Sequence, residues 1–440
     1  MHFKSQITLA LAAAFCAFGA AAEPLSATAA DTTGYNKFRF GGYGEMVASF
    51  KDYGNNRFAG TLTGNTKTHR NTISIPRFVV AFDYKFNSKW ILSSEIEFES
   101  GGTGTAVELE NSENGEYETE IEKGGEVALE QFHITRLIVP QFNVRAGHII
   151  IPVGLTNAHH EPINFFGTTR PQAETSLMPS TWHETGIEFF GSFGRRYTRF
   201  DYMALIVAGL NANGFDRDEW IAGGKQGLFE TDNFTSPGYV FRLDYCGVPG
   251  LRTGASFYYC RDAGSNSDKE HTYSTIGRIP VAIGTWDAQY RNRYVTARAN
   301  ITYGYVGNSA ALSEANRLLS NKSPYSRLIP VAKNAIGYGA EVGVNLASFI
   351  GGRCPVIYPY ARYEYYNPQY RGEGLMTMDR RLEVSQWQAG VNWFALPNLV
   401  VKADYTTRQI GTQKVFGTGT YNSENEFSIG IAYIGWFVKK

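Results

Sequence analysis

Apolar and polar residues alternate along this chain with a period of two. Phe78, Val80, Phe82, Tyr84 and Phe86 share one parity, while Val79, Ala81, Asp83 and Lys85 share the other. Trp90, Leu92, Ile96 and Phe98 then alternate with Ser93, Glu95, Glu97 and Glu99. Leu399, Val401, Ala403 and Tyr405 run against Lys402, Asp404 and Thr406. Near the end, Phe427, Ile429, Ile431, Tyr433 and Phe437 run against Ser428, Gly430 and Ala432. Successive side chains of a strand point to opposite faces, so each run predicts a strand with one apolar and one polar face. Sixteen such strands are expected, near 37–50, 72–86, 89–99, 127–138, 142–151, 185–193, 198–208, 239–246, 252–260, 283–290, 293–305, 335–346, 358–366, 386–394, 399–408 and 427–437.

The connections sort these strands into an architecture. Asn87-Ser88, Val139-Pro140-Gln141, Gly194 to Tyr197, Gly247 to Leu251, Arg291-Asn292 and Ala395 to Asn398 are tight turns, and a somewhat longer segment follows Leu346. Between them lie long connections: 51–71, 100–126, 152–184, 209–238, 261–282, 306–334, 367–385 and 409–426. Long and short alternate strictly. A β-sandwich has no reason to do this, whereas a transmembrane barrel puts all short turns on one side and all loops on the other. A closed barrel is also the one sheet without an unpaired edge in lipid. The expected fold is therefore all-β: a transmembrane antiparallel β-barrel of about sixteen strands, with short periplasmic turns, long extracellular loops and both termini on the periplasmic side. A barrel of that size leaves an aqueous lumen, where eight strands would be filled by side chains.

Composition changes little in this picture. The 27 Tyr, 29 Phe and 47 Gly suit aromatic belts and tight turns. Trp90, Phe98, Trp393, Tyr433, Trp436 and Phe437 are candidates for the interfacial girdles. Lys4, the apolar run Ile7 to Ala22 and the small residues Ala20-Ala21-Ala22 read as a signal peptide over 1–22. Phe15 before Cys16 argues against lipoprotein processing. Residues 23–36 form a short periplasmic lead, too short for a folded plug, and the barrel occupies 37–440. These features place the protein in the outer membrane of a Gram-negative bacterium, with lipid, lipopolysaccharide and the barrel-assembly machinery as partners. The formal charge is balanced, 41 basic against 41 acidic residues, so nucleic acid is not an expected partner. Cys246, Cys260 and Cys354 are an odd, widely spaced set, which suits isolated thiols better than a disulfide framework.

Three segments resemble a known family: Pro76-Arg77-Phe78; Arg145-Ala146-Gly147-His148 with Ile151-Pro152-Val153-Gly154; and Pro179-Ser180-Thr181-Trp182-His183-Glu184-Thr185-Gly186-Ile187. Together they look like the phosphate-selective porin O and P family, in its Bacteroidetes-type branch. In layout the resemblance covers most of the chain, and its sharp motifs fall in about 76–86 and 142–191. It implies a sixteen-stranded channel for passive diffusion of small polar or ionic solutes, with a weak preference for anions such as phosphate, assembled as a homotrimer. The Val438-Lys439-Lys440 tail after Phe437 departs from the aromatic last residue usual in such barrels.

In general porins the third long loop folds into the lumen, so 152–184 is the expected constriction. Its prolines Pro152, Pro162, Pro171 and Pro179 lower the entropy lost on ordering it. By alternation Arg77, Arg145, Arg242, Arg298, Arg362 and Lys402 face the lumen, and Arg170 could join them from the loop. These seven are the candidate pore-lining, solute-contacting cations, since guanidinium suits phosphate and carboxylate. The same registers carry Glu95, Glu97, Glu188, Asp201, Asp244, Glu341, Glu364 and Asp404, which could instead pair with them. A run of glutamates, Glu108, Glu110, Glu113, Glu116, Glu118, Glu120, Glu122 and Glu126, reads as a solvated loop or a negative mouth.

Enzymatic readings, an outer-membrane lipase or protease type, find little support. There is no Gly-x-Ser-x-Gly, His-Glu-x-x-His or phosphate-binding glycine loop. His271-Thr272-Tyr273-Ser274 and His183-Glu184 come nearest to a catalytic group. His159-His160-Glu161 could bind a metal, although adjacent loop histidines more often do not. No cofactor or metal is expected. A barrel transporter for larger ligands would want a plug that the lead is too short to form.

Overall fold

The computed structural model describes residues 37–52, 69–102, 106–110, 118–122, 126–226, 231–267, 273–318, 329–351, 354–411 and 422–440. The expected signal peptide, the lead and His271 lie outside the described residues. So does part of the glutamate run, of which only backbone is described elsewhere.

In chain order the strands are β1 (Phe38–Asp52), β2 (His69–Asn87), β3 (Trp90–Glu99), β4 (Ala106–Glu110), β5 (Glu118–Glu122), β6 (Glu126–Val139), β7 (Phe142–Ile150), β8 (His183–Phe193) and β9 (Phe200–Val207). They continue as β10 (Gly238–Tyr245), β11 (Leu251–Cys260), β12 (Val281–Arg291), β13 (Val295–Val306), β14 (Asn334–Val344), β15 (Val356–Arg371), β16 (Val384–Leu396), β17 (Leu399–Ile410) and β18 (Asn422–Lys439). Sixteen close into one antiparallel barrel, each beside its neighbour in sequence, while β4 and β5 form a separate hairpin in the second long connection. The architecture is the expected transmembrane barrel. Several strands run further toward the loop end than the alternation indicated, as in β2, β15 and β18.

β1 and β18 seal the ring. Their register runs from Arg39↔Lys439 to Asp52↔Asn425. Beyond it, the Lys440 amide donates to the Phe38 carbonyl at 2.9 Å and the Phe38 amide to the Lys440 carbonyl at 3.1 Å. The three residues after Phe437 thus belong to the seam.

The pleat sorts the residues as the alternation demands. On β2, Arg77, Val79, Ala81, Asp83 and Lys85 are buried, while Phe78 and Phe86 are exposed. Aromatics such as Trp90, Phe142, Phe193, Tyr290 and Trp393 are exposed near the short turns, and Phe50, Tyr239, Tyr259, Tyr370 and Phe427 near the loops. Aliphatics including Ile134, Ile301, Val391 and Ile431 lie between. An apolar band between two aromatic girdles is what a lipid-facing surface requires.

Trp436 departs from its expected girdle position. It shares the parity of Ala432 and Ile434 and turns inward, packing against the cluster of Tyr43, Val79, Ala81 and Ile434. The Arg39 guanidinium sits 4.0 Å from its ring centroid, and Arg39 in turn pairs with Asp83 at 2.6 Å. Phe437, one residue on, is the outward aromatic.

The long connections after β9, β11 and β13 do not stand free. Trp220 is fully buried, its indole N–H donating to the Ala332 carbonyl at 3.0 Å, and it packs in one cluster with Tyr258, Tyr273, Leu312 and Val331. Cys260 is buried there, and Cys246 and Cys354 are unpaired thiols on half-buried sites.

Ile431 lies outward in the seam strand, opposite Met46 and Val401. Ile431→Arg is expected to destabilise the folded barrel by roughly 2–4 kcal/mol, the cost of a cation at mid-depth on the lipid face. Urea unfolding in lipid vesicles measures this. Unchanged stability would mean the last strand has the opposite facing.

Candidate functional site: a cation-latched segment inside the barrel

Between Ile150 and His183 the chain leaves the wall and runs across the inside of the ring. Its neck is closed by one asparagine. Asn157 donates from Nδ2 to the Ile151 carbonyl at 2.6 Å and the Trp182 carbonyl at 3.0 Å, and accepts from the Trp182 amide at 2.5 Å. The Ile151 amide also donates to the Trp182 carbonyl at 2.9 Å. A second brace is Glu174, whose carboxylate accepts from the amides of Leu155 at 2.9 Å and Thr156 at 2.6 Å, and from Asn300 of β13 at 2.8 Å. Burial raises the Glu174 pKa, against the pull of those two amide donors. Gly154 makes this turn possible: its φ is +80°, and a Cβ there would lie 2.8 Å from Glu174 Oε2.

Backbone buried inside a barrel must find partners. Here the partners are cations and carboxylates from the wall. Lys402 of β17 donates to the carbonyls of Pro162, Phe165 (3.1 Å) and Gly167 (2.6 Å). Arg362 of β15 donates to the carbonyls of Phe166 and Thr169 (3.0 Å), and Arg242 of β10 to those of Pro152 (3.4 Å) and Gly154 (2.9 Å). Arg77 of β2 reaches the His160 carbonyl at 3.2 Å. In the other direction, the Ala173 amide donates to Glu364 at 2.9 Å and the Thr168 amide to Asp404 at 2.8 Å. The segment is thus bonded to strands on all sides of the ring.

Each of these guanidiniums is also neutralised. Arg77 pairs with Glu97 and, at 3.3 Å, with Glu130. Arg242 pairs with Asp244 at 2.8 Å and Asp287 at 2.9 Å, and Arg145 with Glu188 at 2.8 Å. Arg298 and Arg362 share Glu341, at 2.6 and 2.7 Å, and the Arg298 pair lacks hydrogen-bond alignment. Arg298 also lies over the Phe166 ring, 5.7 Å from its centroid. Arg170, on the segment itself, donates to Ser180, and its Nη2 has no hydrogen-bond partner among the described residues. Of the seven candidate cations, six therefore share the inward face of the wall, and four of those six grip the segment's carbonyls.

The two adjacent histidines are opposites. His159 accepts from Arg252, and burial together with Arg252, Arg242 and Arg298 holds its pKa well below the usual imidazole range. Burial pushes His160 the same way, but the charge and hydrogen bond of Glu130, joined by Glu161, outweigh it and lift the pKa to about 9. His183 faces His148, and Glu184 accepts from the Trp182 indole at 3.0 Å and the Gln226 amide at 3.1 Å. Both residues of that pair support the neck.

Alternation missed Glu130. Glu95 pairs with Gln131 and Ile96 with Leu129, so Glu130 is the extra residue of a bulge on β6. Glu130 and Gln131 are both buried, and this phase slip hides Glu130 from a period-two reading. Arg408 of β17 carries the parity of Lys402 and Asp404, a signal that the alternation does contain. It pairs with Glu424 at 3.2 Å and donates to Gln172 of the segment at 2.7 Å.

Comparison with solved structures agrees with this geometry. OmpF of Salmonella typhi, solved with daunomycin, superposes with a TM-score of 0.54 over 91% of this chain and 98% of that one, at 12% identity. The fold is that of the outer-membrane porins. The anion-selective porin of Comamonas acidovorans gives 0.53 over 91% and 100%, at 8% identity. The channel DcaP of Acinetobacter baumannii gives 0.52 over 90% and 97%, at 9% identity. In sequence, the chain is 24% identical to an uncharacterised protein of Aquifex aeolicus (strain VF5) over 354 residues, 78% of this chain and 72% of that one. No family model matches.

Within this porin fold, removing the Lys402 ammonium leaves three carbonyls without their donor. Lys402→Met is expected to cost roughly 2–4 kcal/mol, as buried polar groups lose their partners, and to make the inner segment more susceptible to protease added from the loop side. Urea unfolding and timed proteolysis read the two effects. Wild-type behaviour in both would show that these bonds do not hold the segment.

Proposed function

We propose that the protein is an outer-membrane porin, a water-filled channel for passive diffusion of small polar and ionic solutes. The observation that carries this is the polarity of the ring: an apolar band faces out, and a charged wall faces a lumen crossed by one latched segment. Sixteen strands enclose more space than side chains fill. The segment 151–182 narrows that space. Between it and β13–β15 lies a small cavity, lined in part by His159, Phe165, Arg298, Glu341, Arg362 and Glu364. Solutes pass down their own gradient, and no side chain performs chemistry on them.

Selectivity in this reading is weak and tilts toward anions. The tilt rests on Arg298 and Arg362 at the remaining space, and on the likeness to phosphate-selective porins in the segments around Arg77, Arg145 and Trp182. Its weakness rests on pairing: Glu341 lies between the two arginines, so little positive potential is left over. A homotrimer is part of the same reading.

Planar-bilayer recording across a salt gradient tests it. Discrete open steps are expected, with a reversal potential displaced modestly to the chloride side. Arg298→Ala is expected to move that potential toward the potassium side. Absence of steps, from protein shown to be folded by its heat-dependent gel shift, would refute the channel; steps favouring potassium in the wild type would keep the channel and refute the anion tilt.

A further inference from the structure

Where the inner segment meets β3 and β6, four carboxylates crowd into one buried place. Glu95 and Glu97 come from β3, Glu130 from the β6 bulge and Glu161 from the segment, and none is more than 4% exposed. Arg77 and His160 are the basic groups among them. Even with His160 protonated, the group carries two negative charges in excess.

Two of the carboxylate oxygens are unspoken for. Glu95 Oε2 and Glu161 Oε1 are buried with no hydrogen-bond partner. A buried anionic oxygen without a donor or a cation is costly, and each such atom calls for an explanation.

The geometry points to a divalent transition-metal site formed by Glu95, Glu130 and His160. One donor atom from each lies within 4.8 Å of the others. His160 Nε2 and Glu130 Oε1 are 3.2 Å apart, close to the roughly 3.3 Å between ligand atoms in a tetrahedral zinc site. His160 is oriented as a ligand should be. Its Nδ1 is 2.9 Å from the Asn157 carbonyl, and donation there leaves the Nε2 lone pair turned toward Glu130 and the Tyr43 hydroxyl, which lies 3.0 Å away and would give way to an ion. Asn157 is itself fixed by both ends of the neck, so the ring has little freedom. Glu161 supplies a fourth carboxylate beside the site, and Arg77, held chiefly by Glu97, lies behind Glu130.

The donor set decides the class of ion. Calcium and magnesium prefer all-oxygen shells, whereas an imidazole nitrogen with carboxylates suits zinc and its first-row neighbours. A bound ion would displace the proton that Glu130 draws onto His160 and cut the excess from two negative charges to one. It would also cross-link the inner segment to β3 and β6. This role is structural, and it stands or falls independently of conduction.

The test is metal content of the folded, detergent-purified protein. The sample is stripped with chelator, incubated with zinc chloride, passed through a desalting column and assayed for zinc by atomic emission. One zinc retained per chain is expected. Glu95→Gln and His160→Gln, each checked for folding by gel shift, are expected to lose that equivalent. Zinc held by the glutamates of 108–126 would survive both substitutions. Cobalt(II) added to the wild type gives a second reading that needs no variant: an intense visible band, abolished by zinc but not by excess calcium. Zinc content equal in wild type and Glu95→Gln, or a cobalt spectrum of the free aquo ion only, would overturn the site.

Discussion

A peptide backbone taken out of water must still be hydrogen-bonded, and this constraint organises the inside of the barrel. The wall is spared the difficulty because its amides and carbonyls bond from strand to strand around a closed ring. The segment between Ile150 and His183 has no such ladder. Its carbonyls are met by Lys402, Arg362, Arg242 and Arg77, and its amides by Glu174, Glu364 and Asp404. The positions that make the lumen polar are the same positions that keep the segment in place. Breaking one such pair strands a charge or a carbonyl, so the arrangement resists piecemeal loss.

The barrel was legible in the sequence because two independent patterns agreed. Alternation located the strands, and the contrast between Asn87-Ser88 and 152–184, repeated along the chain, told which ends were which. Facing was legible too, down to Phe78 outward and Arg77 inward. What period two could not show was any break in period. The β6 bulge puts Glu130 and Gln131 on the same side. Trp436 was misassigned for another reason: an aromatic near the end of a last strand suggests a girdle, but its parity is that of Ile434, and Arg39 covers its inner ring face.

Parity marks the inward cations but not what they bond. From the sequence Arg242 and Lys402 are inward positive charges, and whether such a charge meets a solute or a carbonyl depends on where a distant loop comes to rest. The contacts from Lys402 to Pro162, Phe165 and Gly167 span more than two hundred residues of chain. The motif Ile151-Pro152-Val153-Gly154 looks different once seen in place. Gly154 supplies a positive φ beside Glu174, and Pro152 and Gly154 present their carbonyls to Arg242. The low identity to the porins of similar fold fits this division. Alternation and loop length are properties that many sequences share, whereas the bonding inside the ring depends on individual residues at individual positions.

A closed sheet of sixteen strands is a thin hoop, and a hoop under lateral pressure from the surrounding bilayer flattens easily. The inner segment changes its mechanics. Bonded at β2, β10, β13, β15 and β17, it acts as a set of spokes, so that squeezing the wall along one diameter must stretch ion-assisted bonds along another. The cross-section of the barrel is then fixed by the spokes as much as by the rim, and the ring can keep its shape in membranes of different tension.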